Sequence, residues 1–136
     1  MTLVELNRHL ALREKIEKTQ ETLDSIRAAA QLGAVKLTGM PHAPGVKDKV
    51  GDLAVEIADL STSLDQLNAE LIRQELQIEA FISCIEDDQT RIIFRLRFLR
   101  GLSWKEVSQI LGRYTTEKSV SELCYKYMRA VESRGT

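Results

Sequence analysis

Residues 101–112 read GLSWKEVSQILG, and this stretch predicts a short helix with a defined beginning and end. Ser103 is followed three positions later by Glu106, a capping-box pattern in which each side chain bonds a free backbone amide of the first turn. Apolar residues from Val107 onward give the helix one side that can be buried. Gly112 then ends the helix after about nine residues, because glycine readily adopts the conformation found at helix ends.

Helices are predicted on both sides of this stretch. One covers about residues 88–100 and ends at Gly101, and another begins near Thr115 or Thr116, both of which can cap a helix N-terminus. A short capped helix, a turn and a second helix with a polar outer side are typical of a helix-turn-helix. In that motif the second helix enters the major groove of DNA, about 12 Å wide, while its neighbours brace it. The predicted core of this unit contains Trp104, Val107, Leu111 and Val120.

Two long helices are predicted before this unit, over about residues 3–31 and 49–85. In the second of them, apolar positions alternate in steps of three and four, which is the heptad spacing of helices that pair lengthwise. Glycine and proline interrupt residues 32–48, which predicts a loop. The sequence therefore predicts an all-α protein, with a long antiparallel helical hairpin or coiled coil over 1–86 and a three-helix DNA-binding domain over 87–136.

Two features of the predicted hairpin leave alternatives open. Gln74 occupies an apolar position of the heptad seam, either as a tolerated polar residue or as a device that sets register or oligomeric state. The loop sequence TGMPHAPG, residues 38–45, is either a plain connection or a docking surface that exposes Met40 and Pro41.

The composition excludes several classes of protein. No apolar run approaches the roughly 18–20 residues of a membrane span, so we expect a cytoplasmic protein that does not contact membranes. Cys84 and Cys124 stand apart, which favours free buried thiols over a disulfide or a zinc site. His9 and His42 lack a partner at informative spacing, which favours surface or loop positions over catalysis. With no phosphate-binding loop or nucleophile motif, we expect no enzymatic activity, no metal and no cofactor.

The charges divide unevenly along the chain. Residues 1–48 hold 7 Lys/Arg and 6 Asp/Glu, residues 49–87 hold 2 and 9, and residues 88–136 hold 10 and 5. A basic end next to an acidic middle favours DNA contact, although the two segments could also pair with each other. The candidate contacts to the DNA backbone are Arg91, Arg95, Arg100, Lys105 and Arg113. The candidate groove-facing residues of the last helix are Lys118, Ser119, Ser121, Glu122, Tyr125, Lys126 and Arg129.

The stretch DDQTRIIFRLRFLRGLSWKEVSQILGRYTTEKSV, residues 87–120, resembles the fourth region of sigma-70-type factors. The resemblance is carried in order by Arg91, Arg97, Gly101, Ser103, Trp104, Glu106, Leu111, Gly112, Ser119 and Val120. With LTGMPHAPGVKDKV, residues 37–50, and the acidic heptad helix that follows, the whole chain is also similar to small phage and prophage proteins of the RinA/ArpU kind. That similarity implies a late-gene transcription regulator that binds double-stranded DNA.

We therefore expect a phage-derived, sequence-specific DNA-binding regulator that acts with RNA polymerase in the cytoplasm of a bacterial host. The hairpin would engage polymerase, another regulator or a second copy of the chain. One alternative is a small terminase-like DNA-packaging or structural protein, whose coil assembles a ring. Another is an interaction protein that binds polymerase without binding DNA.

Overall fold

In a computed structural model, every regular element among the described residues is a helix. The structure describes the backbone of residues 1–37, 44–112 and 114–135, and side chains over the same residues except 33–37 and 44–52. The helices are α1 (Leu3–Leu37), α2 (Pro44–Ser83), α3 (Asp88–Phe94), α4 (Trp104–Leu111) and α5 (Glu117–Arg134). The prediction of an all-α protein is confirmed over this part of the chain.

The two long helices extend further than the sequence predicted. α1 continues past Gly33 to Leu37, and α2 begins at Pro44. Proline is well suited to the first position of a helix, because its missing N–H would have no partner inside the helix there. The predicted loop over 32–48 is therefore too long, since helix covers both of its ends. Most of TGMPHAPG, including Met40 and Pro41, lies outside the described residues, so its two interpretations stay open.

The predicted helix over about 88–100 consists of two parts. Asp87 caps the start of α3, where its carboxylate accepts a hydrogen bond of 2.9 Å from the backbone N–H of Thr90. After Phe94 the chain continues as a π-helical turn, Arg95–Leu99, in which the Arg100 N–H bonds the Arg95 carbonyl. The wider turn is a local departure from the α-helix that propensity alone does not predict.

The residues fall into two compact units that do not follow the predicted boundary between 86 and 87. Unit 1 combines Met1–Arg13 with Leu71–Thr136, and unit 2 is Glu14–Glu70. In unit 1 the N-terminal end of α1 and the C-terminal end of α2 share one core with the three short helices, α3, α4 and α5. These three helices are too short to bury their apolar sides alone. That core consists of Leu6, Ile78, Ile82, Ile85, Phe94, Phe98, Cys124 and Met128.

Unit 2 consists of parts of α1 and α2. Leu23 and Leu64 are its buried apolar residues within the described part of the chain. The Arg27 guanidinium lies 3.5 Å from the Ser61 hydroxyl, which joins the two helices. The remaining described seam residues, such as Leu60 and Leu67, are half-buried and line an open groove of about 360 Å³.

A polar pair lies inside unit 1. His9 is fully buried, and its Nδ1 lies 2.9 Å from Oε1 of Gln74. The prediction of a surface position for His9 is therefore wrong, because α1 turns this side chain toward α2. Gln74 has a defined partner in the seam, which accounts for a polar residue at that position.

The two cysteines differ in their surroundings, and both are free. Cys124 is buried, as predicted, and burial raises the pKa of its thiol to about 12. Cys84 is exposed, so the prediction that it is buried is wrong; it follows directly after Ser83, where α2 ends.

Candidate nucleic-acid interface

The beginning of α4 is fixed by the capping box that the sequence predicted. The Ser103 hydroxyl accepts a bond of 3.1 Å from the Glu106 N–H, and the Glu106 carboxylate accepts one of 3.1 Å from the Ser103 N–H. The bond from the Ser103 N–H to the carboxylate, and then the Ser103 hydroxyl beside it, hold the pKa of Glu106 below its ordinary value. At the other end Gly112 has a φ of 96°, a conformation that favours glycine. Ser103 therefore sets the beginning of α4, and Gly112 sets its end.

Thr115 and Thr116 form hydrogen bonds in the described part of the connection from α4 to α5. The Thr115 hydroxyl lies 3.0 Å from the Ser108 carbonyl and 2.8 Å from the Gly112 carbonyl. Thr116 then caps α5, because its hydroxyl accepts a bond of 3.1 Å from the Ser119 N–H. The Ser119 hydroxyl in turn accepts a bond of 2.9 Å from the Thr116 N–H. Of the two predicted caps, Thr116 is the one used.

α4 and α5 pack together through a small apolar cluster. Val107 of α4 and Val120 of α5 are buried against Ile93 of α3. Trp104 and Leu111 are partly buried and pack against the same cluster. All four residues predicted for this core thus lie in it or against it, and the opposite side of α5 stays in solvent.

Trp104 is packed on several sides. The Arg97 guanidinium lies 4.7 Å from the centre of its ring, and Arg97 also donates a bond of 2.9 Å to the Leu102 carbonyl. The Tyr125 ring meets Trp104 edge-on, with centroids 6.1 Å apart. Tyr125 remains 39% exposed, so this predicted groove-facing residue both packs against α4 and reaches solvent.

Most of the predicted groove-facing residues of α5 are exposed. These are Lys118, Ser119, Glu122, Tyr125, Lys126 and Arg129, whereas Ser121 is half-buried. The hydroxyl of Ser121 donates to the Lys118 carbonyl, and the hydroxyl of Ser119 bonds within the cap. Lys118 lies 4.0 Å from the Glu122 carboxylate. The cations therefore offer more to a ligand than the two serines do.

The residues predicted to contact the DNA backbone divide into two groups. Arg91 donates to the Ile85 carbonyl at 2.9 Å and pairs with Asp88. Arg95 forms an ion pair of 2.6 Å with Glu79, which joins the basic C-terminal segment to acidic α2. Some of the basic charge of residues 88–136 is thus paired with acidic charge within the chain. Arg100 and Lys105 are exposed, and Arg113 lies outside the described residues.

Arg13 is a residue near the candidate interface that sequence reasoning missed. Its guanidinium donates bonds of 2.8 Å to the Leu99 carbonyl and 3.4 Å to the Arg100 carbonyl, just before α4 begins. It also lies 3.4 Å from the Glu75 carboxylate. Gly101 has a φ of 72°, and a Cβ there would lie 2.9 Å from Nε of Arg13. No sequence signal links residue 13 to a turn nearly ninety positions away.

Comparison of the chain with protein-family models, curated proteins and solved structures found no match. Over the described residues, none of the helices combines the length and apolarity needed to cross a bilayer. Within the same residues, no three His, Cys, Asp or Glu side chains cluster as a metal would require.

Proposed function

We propose that this chain is a phage-derived, sequence-specific DNA-binding transcription regulator in which α4 and α5 act as a helix-turn-helix. The observation that carries the proposal is the two-sided character of α5. One side, through Val120, is buried against α4 and α3, while the other exposes Lys118, Lys126 and Arg129. A helix that reads a DNA groove needs both a braced side and a free polar side.

In this mechanism α4 and α5 have different tasks. α4 braces α5, and Arg100 and Lys105, which flank the beginning of α4, neutralise phosphates and set the orientation on the duplex. α5 enters the major groove, where Glu122 can contact base edges, while Lys118 and Lys126 neutralise phosphates beside the groove. The antiparallel pairing of α1 and α2 as a hairpin, and its contact with RNA polymerase at a late promoter, belong to the same proposal.

Capture of fragments from the genetic element that encodes the protein tests sequence reading directly. Purified protein at about 150 mM salt should enrich one promoter-proximal site, since that salt weakens non-specific phosphate binding. Uniform recovery of all fragments would instead support a packaging protein. Polymerase binding without any DNA affinity would support the interaction protein.

A pair of charge-matched variants then tests the assigned surface. Lys118→Ala/Lys126→Ala should weaken binding and lower the salt slope by about two, roughly one for each lost phosphate contact. Lys15→Ala/Lys18→Ala removes the same charge from an exposed part of α1 and should change neither quantity. Equal effects of the two double variants would show that net charge, and not the face of α5, governs binding.

A further inference from the structure

Arg13 of α1 contacts the end of the π-helical turn, just before α4 begins. Its guanidinium donates a bond of 2.8 Å to the Leu99 carbonyl and one of 3.4 Å to the Arg100 carbonyl. The last carbonyls of a helix have no partner inside that helix, and a cation placed beside them is favourable. Arg13 therefore supplies, from another helix, bonds that the end of the π-helical turn lacks.

The Arg13 guanidinium is itself held in position. The Glu75 carboxylate of α2 lies 3.4 Å from Nη1 of Arg13, and the Arg13 side chain is only 26% exposed. Gly101 leaves room for it, because a Cβ at that position would lie 2.9 Å from Nε of Arg13. A planar guanidinium that meets two carbonyls and one carboxylate has little freedom to turn toward a phosphate. Arg13 is thus placed to act on the turn, and both of its terminal nitrogens are already engaged there.

The N-terminal part of α1 is also joined to α5. The Leu3 N–H donates a bond of 2.9 Å to the Glu132 carboxylate, near the C-terminal end of α5. Leu6 is fully buried in the same cluster as Met128 of α5. Because one helix contacts both α5 and the turn before α4, Arg13 sets where α4 begins relative to α5.

The turn is held from its other end as well. The Arg97 guanidinium donates a bond of 2.9 Å to the Leu102 carbonyl and lies 4.7 Å from the centre of the Trp104 ring. The Leu102 N–H bonds the Leu96 carbonyl at 3.1 Å. Arg100 lies between these fixed points, and its side chain is exposed. The backbone that carries this exposed cation is therefore held on both sides.

We propose that Arg13 is a positioning residue of the DNA interface. Acting through the Leu99 and Arg100 carbonyls, it places the Arg100 side chain and the beginning of α4 where they meet phosphates while α5 lies in the groove. This inference rests on the proposed function. It adds a residue of α1, far from residues 87–136 in the sequence, to those that determine DNA binding.

The salt dependence of binding by the full chain to the enriched site tests this role. Arg100→Ala should flatten the slope by about 0.9, the loss of one phosphate contact. Arg13→Met keeps the length of the side chain but removes its donors, and should flatten the slope by about the same 0.9. The combined variant should be no flatter than Arg100→Ala alone, because both changes remove the same contact. Arg8→Met removes the same charge from an exposed position of α1 and should leave the slope unchanged.

Hydrogen exchange of backbone amides, measured without DNA, tests the action on the turn and shows that the variant is folded. In Arg13→Met the Leu102 amide should exchange at least about tenfold faster, because bonds from charged groups are strong and their loss permits local opening. The Val120 amide, in the first turn of α5, should exchange as in the wild type. Equal acceleration of both amides would mean that Arg13 only stabilises the fold as a whole, and would overturn the proposal.

The binding results separate this proposal from the proposed function. A wild type that binds DNA with the same slope as Arg13→Met would overturn the positioning role alone. Additive losses of about two contacts in the combined variant would do the same, because Arg13 would then act independently of Arg100. Equal slopes for Arg8→Met and Arg13→Met would show that net charge governs the effect and would also overturn it. A wild type without DNA affinity would overturn the proposed function, and the positioning role with it.

Discussion

Replacement of Leu6 by alanine should destabilise the three short helices, although Leu6 lies in α1. Leu6 is 0% exposed and belongs to the same cluster as Phe94, Phe98 and Met128. Leucine-to-alanine changes at buried sites remove transfer free energy and leave a cavity, at a cost of about 3 kcal/mol. The free energy of unfolding of a small domain is about 5–15 kcal/mol, so a loss of about 3 kcal/mol is a large fraction of it.

The single tryptophan provides a local probe for this experiment. Trp104 begins α4 and packs beside Phe98, so its fluorescence reports the unfolding of the short helices. Urea unfolding of Leu6→Ala should shift to lower concentration by fluorescence and by circular dichroism alike. Val4→Ala, at a residue 65% exposed, is the control and should change the free energy of unfolding by less than about 0.5 kcal/mol. A Trp104 transition that did not move in Leu6→Ala would refute the shared core and show that residues 87–136 fold independently.

Three further changes test separate parts of unit 1. Gly101→Ala should lower the free energy of unfolding by at least about 1–2 kcal/mol in urea titration, because its φ of 72° disfavours a side chain and Arg13 occupies the space. A thiol reagent at about pH 8 should modify Cys84 alone, since burial raises the pKa of Cys124 to about 12, and should modify both thiols in denaturant; mass spectrometry counts the adducts. Hydrogen bonds from Thr90 lower the pKa of Asp87 in the folded protein. The Asp87 carboxylate therefore stabilises the fold at a pH above its pKa in the unfolded chain, and this stabilisation is lost as pH falls. Asp87→Ala should therefore destabilise the protein at about pH 7 and progressively less below about pH 4, and a constant difference in the free energy of unfolding would contradict this.

The parts of the fold that the sequence predicted well are those that local chemistry determines. Ser103 and Glu106 lie three positions apart, so their capping box depends on the first turn of α4 alone. The apolar sides of α4 and α5 also follow from helical periodicity, which is why the sequence predicts a core that contains Val107 and Val120.

The features that the sequence did not predict depend on distant contacts or on small differences in energy. Arg95 looked available to DNA because its partner, Glu79, lies 16 positions earlier on another helix. His9 looked like a surface residue because only the packing of α1 on α2 brings it to Gln74. Gly33 marked a helix end by propensity, but glycine inside a helix costs only about 1 kcal/mol and a long helix can include it.

The division of the basic residues into paired and exposed groups limits how strongly one copy can bind DNA. Arg91, Arg95 and Arg97 bond to carbonyls or carboxylates of the chain itself. The exposed cations of the proposed surface are Arg100, Lys105, Lys118, Lys126 and Arg129. If each neutralises one phosphate, the logarithm of affinity should fall with the logarithm of salt concentration with a slope of about −4.5. A slope measurement on the enriched site, made with wild type and with Lys118→Ala/Lys126→Ala, therefore tests how many of these five cations contact phosphate. A slope of about −4.5 for the wild type and about −2.7 for the double variant is the expected result, and equal slopes would mean that Lys118 and Lys126 do not contact phosphate.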